Sequence, residues 1–348
     1  MKKSLIALAV AGAMTAPIVA QADATLYGSF RMGLSFQDGE DADLRDESTR
    51  IGIKGTVDLG LEDTKGLYHW EANFSTTDDY AGTSTGNIAS RLAYMGATGS
   101  WGTALVGRQY HPHYTMIQSH TNIFNSADGE FGEAFSLSNK HHKREQNTLA
   151  YASPVMGGFQ VVAGAVIAAD GSDSNNNFDD DVDGYNIGAQ FTGVKGLRVS
   201  AAYGNVEADV ATAASASTDP SDFGTITPAS VAQYESELWG LGATYTIDAV
   251  TVAAKYEERE DTTNGAAEEL TVWELAGIYQ MGSTALKARF GNLEIEDATS
   301  TEDGDQWGVE VEQKLGNRGR VWVGYTDIDA EVASGAEDTL ILGYRLDF

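Results

Sequence analysis

From Asp23 to the last residue the chain alternates apolar and polar positions with a period of two. Across 26–36, Leu26, Phe30, Met32, Leu34 and Phe36 fall on one face, and Tyr27, Ser29, Arg31 and Ser35 on the other. Across 49–59, Ile51, Ile53, Val57 and Leu59 oppose Arg50, Lys54, Thr56 and Asp58. Strands with one face in an apolar phase and the other in water read this way. Similar segments recur near 67–75, 88–98, 103–110, 146–153, 158–168, 184–192, 197–206, 236–247, 249–259, 270–281, 284–296, 305–315, 320–329 and 338–348. With the first two they make sixteen, and an even count suits a closed antiparallel barrel.

The connections alternate in length. Short ones lie at 99–102, 154–158, 193–196, near Asp248, and at 282–283 and 317–319. Long, polar and acidic ones lie at 37–47, 76–87, 111–146, 169–183, 207–235, 260–269, 297–304 and 330–337. Tight turns at one end and long loops at the other predict an all-β fold: a 16-stranded antiparallel transmembrane β-barrel with short periplasmic turns and long extracellular loops. A soluble sandwich has no reason to alternate so regularly, and a propeller would show a blade-length repeat that is missing here. Outward faces such as Trp239, Leu241, Ala243, Tyr245, Ile247 and Trp273, Leu275, Tyr279 put aromatics where membrane-interface belts need them.

One connection stands apart. Between Tyr110 and Asn147 about 35 residues show no clean period, and a stretch of that length without structure is usually functional or disordered. It carries Asp128, Glu130 and Glu133, and Arg108 and Arg144 lie at its shoulders. The arrangement predicts a third loop, about 111–146, folded into the barrel with carboxylates facing basic wall residues across water.

The first residues add a compartment. Met1-Lys2-Lys3 precedes an apolar run from Leu5 to Val19 and then Ala20-Gln21-Ala22, which reads as a signal peptide over 1–22 and leaves 23–348 as one barrel domain. Beyond it no stretch approaches the ~20 apolar residues of a spanning helix, so any membrane crossing must be made by strands. There is no cysteine, so an exported chain relies on backbone pairing and size. The net charge of −29 becomes −31 once Lys2 and Lys3 leave with the leader. That surface offers no footprint for nucleic acid and attracts counter-cations.

Four stretches resemble the general, non-specific trimeric porins of Gram-negative bacteria. Ser48-Thr-Arg-Ile-Gly-Ile-Lys-Gly-Thr-Val-Asp-Leu-Gly60 is similar to that family's second strand. Ser90-Arg-Leu-Ala-Tyr-Met-Gly96 and Gly102-Thr-Ala-Leu-Val-Gly-Arg-Gln109 are similar to its fourth and fifth. Asn147 to Pro154 resembles the strand after the constriction loop, and Tyr344-Arg-Leu-Asp-Phe348 the terminal signal read by the barrel-assembly machinery. The resemblance implies a homotrimer in the outer membrane, in contact with its lipid and lipopolysaccharide. It implies that Arg50, Arg108 and Arg144 are wall arginines of the constriction, opposed by Glu130 with Asp128 and Glu133 beside it. Arg31, Lys54, Arg91, Lys287 and Arg289 also fall on predicted inner faces. Ala150, where related porins often carry a base, and His111, His113, His141 and His142 around the loop depart from the pattern.

No catalytic constellation stands out, and the chain reads as a channel and not an enzyme. The histidines lack a ligand set with metal spacing, and the acidic 169–183 lacks the order of a calcium loop, so neither metal nor cofactor is called for. The expected function is passive diffusion of small hydrophilic solutes and ions, with a weak to moderate cation preference from the acidic loops opposed by the arginine wall. A substrate-selective channel for a sugar, phosphate or small acid is the alternative, and an outer-membrane barrel enzyme a more distant one.

Overall fold

The computed structural model describes residues 23–37, 41–77, 88–126, 143–167, 176–177, 182–213, 228–263, 266–328 and 338–348. Within these the strands are β1 (Thr25–Gln37), β2 (Asp43–Asp46), β3 (Arg50–Leu61), β4 (Thr64–Phe74), β5 (Ile88–Gly99), β6 (Gly102–Tyr110), β7 (Arg144–Ala152), β8 (Phe159–Ile167) and β9 (Asn176–Asn177). They continue as β10 (Val182–Phe191), β11 (Leu197–Ala213), β12 (Pro228–Ile247), β13 (Val250–Thr263), β14 (Ala266–Met281), β15 (Thr284–Asp297), β16 (Thr301–Leu315), β17 (Gly319–Ile328) and β18 (Thr339–Asp347). Two are short accessories: β2 pairs with β1, and β9 with β11. The other sixteen pair with their chain neighbours, all antiparallel, and β1 closes on β18 from Ser29↔Asp347 to Gln37↔Thr339. Closure leaves no edge, so every backbone group in the lipid zone finds a partner across the ladder.

The outer surface is apolar where it meets lipid. Leu241, Leu275 and Val309 are 51, 53 and 46% exposed, on the alternate strands β12, β14 and β16. In water such a continuous patch would drive aggregation, whereas in a bilayer it is the contact surface. Above this band runs an aromatic row. Tyr203 faces Trp239, Tyr256 faces Trp273 and Phe290 faces Trp307 in register. Ring centroids lie 5.2–5.4 Å apart in the pairs Trp239–Tyr256, Trp273–Phe290 and Trp307–Tyr325.

At this row the alternation inverts. Below it the outward residues are apolar and the inward ones polar. Above it Leu238, Leu270, Val272, Leu293 and Ile328 point inward as a buried cluster, while Glu237, Glu269 and Glu294 are exposed outward. The strands continue into water with opposite polarity, and three of the connections expected to be long are shorter as a result. The 207–235 connection shrinks because β11 runs to Ala213 and β12 starts at Pro228, the 260–269 connection to residues 264–265, and the 297–304 connection to residues 298–300. The backbone ladder does not end where the lipid does.

Candidate functional site

The barrel interior is divided by the chain that leaves β6. Pro112 opens a short helix, α1 (Pro112–Met116), where its missing N–H costs nothing. A 3-10 turn, Gln118–His120, follows. This segment lies on a bed of glycines. A Cβ built at Gly188 would collide with Met116, one at Gly242 with His120, and one at Gly240 would crowd His113 and Ile117. Bare backbone on β10 and β12 lets the loop settle directly on the wall.

Polar groups then fasten it. His113 Nε2 lies 2.9 Å from Glu257 Oε1, both side chains fully buried. Lys255 bonds Glu257 and the side-chain oxygen of Gln118, and stands 3.2 Å from Glu274. Thr121 donates to Glu274 at 2.6 Å, and Gln306 donates to its other oxygen at 2.7 Å. Further along, Asn125 donates from its backbone and side-chain nitrogens to Glu310 at 2.8 and 2.7 Å, and Lys287 bridges Glu310 and Glu312 at 2.7 and 2.9 Å. Arg198 donates to the carbonyl of Thr115 at 2.7 Å. Phe124 packs with Trp322 and Ile341 in an apolar cluster inside the barrel, and Arg289 lies 5.4 Å from the Phe124 ring centroid. Buried carboxylates keep their charge only when paired and hydrogen-bonded, and here loop and wall supply those partners to one another.

His120 accepts or donates hydrogen bonds with Thr244 at 2.6 Å and Ser200 at 3.1 Å. Burial, with Arg198 nearby, lowers its pKa to about 4, so at neutral pH it is an uncharged part of the fastening.

Residues 111–126 thus follow the inner wall from β8 round to β18 and do not reach the opposite arc. On that arc Arg31 of β1 lies within electrostatic reach of Arg50, Arg91 and Arg345, and Tyr110 sits between Arg144 and Arg91. Glu71 takes a 2.8 Å hydrogen bond from Arg91 and lies 3.8 Å from Arg50. Asp347 pairs with Arg345 at 2.6 Å. Among the described residues this group holds five arginines against two carboxylates. A column of four layers stands at its upper end: Lys143 lies 4.7 Å above the Tyr114 ring, Tyr114 stacks on Tyr110 at 5.1 Å, and Arg144 lies 5.3 Å from Tyr110.

Of the predicted wall residues, Arg50, Arg91, Arg144 and Arg31 come together. Lys54 sits lower, exposed, 5.2 Å from the Tyr27 ring centroid. Arg108 stands apart. It falls in regular register with Ala93 and through it with the outward Trp70, opposite a bulge whose extra residue belongs to β7 between Glu145 and Thr148, and the charge it meets is Glu145. Lys287 and Arg289 are on the inner face as expected, yet the loop covers them, with 8% and 2% of their side chains exposed. Asp128, Glu130, Glu133, His141 and His142 lie outside the described residues. Among the described residues no group of three His, Asp or Glu could hold a metal, and His113 is spent on Glu257. Lys255, Glu257, Glu274, Glu310, Glu312 and Arg198 were missed. Inward charges at every second position, as in Lys255-x-Glu257-x-Arg259 and Glu310-x-Glu312, were the available signal.

A closed sixteen-stranded barrel with a lipid-facing band and a charged lumen narrowed by an internal loop defines an outer-membrane channel. The chain belongs to the Gram-negative porin family, whose pattern matches residues 7–333. Outer membrane protein U of Vibrio parahaemolyticus is 26% identical over 384 aligned positions, spanning all of both chains. The trimer form of OmpT from Vibrio cholerae superimposes with a TM-score of 0.71 at 18% identity, covering 93% of this chain and 99% of that one. The anion-selective porin from Comamonas acidovorans superimposes with a TM-score of 0.74 at 15% identity, covering 94% and 100%. The relatives place the protein in the outer membrane of a Gram-negative bacterium.

Proposed function

We propose that the protein is a passive diffusion channel for small hydrophilic solutes and ions, exported by cleavage after Ala22 and working as a homotrimer. The observation that carries this reading is the divided lumen, with a loop fastened along one arc and a group of arginines on the other. A transverse field across such a passage lets hydrated polar solutes turn and cross and holds back bulky apolar ones. Asp128, Glu130 and Glu133 are assigned the negative side of that field. The acidic outer rim concentrates cations at the entrance and gives a weak cation preference. Phe348 serves assembly, and the outward belt meets lipopolysaccharide.

A second reading has its own support. Five arginines against two carboxylates on that arc favour anions at the narrowest point, and the structurally similar Comamonas acidovorans porin is anion-selective. Purified protein in a planar bilayer under a KCl gradient separates the two. A reversal potential of cationic sign supports the acidic rim as the deciding feature, an anionic sign supports the arginine arc, and no conductance after confirmed insertion overturns the channel reading.

A further inference from the structure

Below the arginines the open arc carries an aromatic group that simple ion passage does not require. Tyr94 Oη is 2.8 Å from His69 Nδ1, His69 Nε2 is 2.6 Å from Tyr27 Oη, and Tyr27 donates to Glu71 at 2.7 Å. A carboxylate can only accept, so the Tyr27 proton belongs to Glu71. His69 Nε2 must then donate to Tyr27, and Nδ1 accepts from Tyr94. The chain runs in one direction, and each ring is held by its polar tip.

Tyr27 also lies against β3. Its cross-strand partner is Gly52, and a Cβ there would stand 2.6 Å from Tyr27 Cζ. Only glycine lets the ring approach that backbone, and the ring remains partly exposed. Around it are Lys54, 5.2 Å from the centroid on an exposed and flexible stem, and Arg50, within electrostatic reach. Arg91 stands one step further, through Glu71. A fixed aromatic face bordered by cations matches a solute with a flat π-system and a negative charge.

We propose that Tyr27, with His69 and Tyr94 holding it and Lys54 and Arg50 beside it, is a low-affinity station for planar organic anions, aromatic carboxylates above all. The solute ring stacks on Tyr27 and its carboxylate meets Lys54 or Arg50. This rests on the channel reading and adds the solute class. Its energy is that of one aromatic pair, so the preference over a saturated analogue of equal charge is roughly 2- to 10-fold.

The test uses the full-length protein in a planar bilayer in KCl, with benzoate and cyclohexanecarboxylate added separately. The readout is the ratio of the concentrations at which each halves the single-channel current, so that differences in open conductance cancel. Benzoate should act at several-fold lower concentration. Tyr27→Leu should bring the ratio to one, and so should Gly52→Ala, which keeps Tyr27 but displaces its ring. Equal potency in the unaltered protein, or a ratio preserved in both variants, overturns the station. Absence of any KCl current would instead overturn the channel itself.

Discussion

Replacing Lys255 by Met would test the fastening most directly. Lys255 has no exposed side-chain surface and serves two buried carboxylates, Glu257 and Glu274, as well as Gln118 of the loop. After the substitution Glu257 keeps, among the described residues, His113, and Glu274 keeps Thr121, Gln306 and a 3.5 Å approach from Arg289. Removing one partner from a buried ion pair costs about 3–5 kcal/mol because the other charge stays dry. The barrel ladder at these positions is backbone and is untouched, so the cheapest relief is for the loop to lift and admit water. At about 1.4 kcal/mol per factor of ten, the docked-to-lifted ratio should fall by about two to three and a half orders of magnitude. Single-channel records should change from a steady level to flicker, and liposome swelling should admit larger sugars. Lys255→Met combined with Glu257→Gln should recover part of the steadiness, because one orphaned charge is gone. A Lys255→Met protein that folds as a heat-modifiable barrel yet keeps unaltered noise and size limit would refute the reasoning.

His120 sets a pH window. Its pKa is lowered to about 4 from an ordinary value near 6.5, so its contribution to docking is complete above about pH 6.5 and is lost as the pH falls toward 4. Flicker should rise through that interval, and His120→Asn should flatten the dependence. Gly242→Val places a side chain where His120 rests, and should raise current noise at neutral pH without unfolding the barrel. Arg50→Gln with Arg91→Gln removes two of the five arginines on the open arc, and should move the reversal potential in a KCl gradient toward cations; no movement would place the deciding charges elsewhere. Phe124→Ala empties the apolar cluster with Trp322 and Ile341, costs docking about 3–5 kcal/mol, and should appear as extra subconductance levels.

The barrel itself was legible because alternation is a local signal. Each of the sixteen strands could be read from its own ten or so residues, down to Leu340, Leu342 and Tyr344 facing lipid on β18. What escaped was of three kinds. The outer ends of β12, β14 and β15 reverse their polarity above the aromatic row, and a pattern that changes phase looks like loop. Arg108 was placed on the wall by the resemblance, yet it lies two residues from the outward Val106 and in regular register with Ala93, so its own strand's alternation points it away from the arginine group. Arg50 and Arg289 carry the same inner-face signature, yet one stays partly exposed and the other is sealed under the loop. That difference is made by the path of residues 111–126 and by glycines on strands far along the chain, which no local period encodes.

The distances along the chain between the loop and its anchors also bear on the order of assembly. His113 reaches Glu257, 144 residues later, and Asn125 reaches Glu310, 185 residues later. When β6 and β7 have paired, none of these anchors is yet in place, and the long closures they require come late. A barrel stalled short of β16 would therefore be not merely incomplete but wide, with its inward carboxylates unanswered and nothing to limit what passes. Narrowing therefore waits on β13 to β18, and any factor that delays those strands should be felt first as leakiness of the envelope and only later as loss of protein.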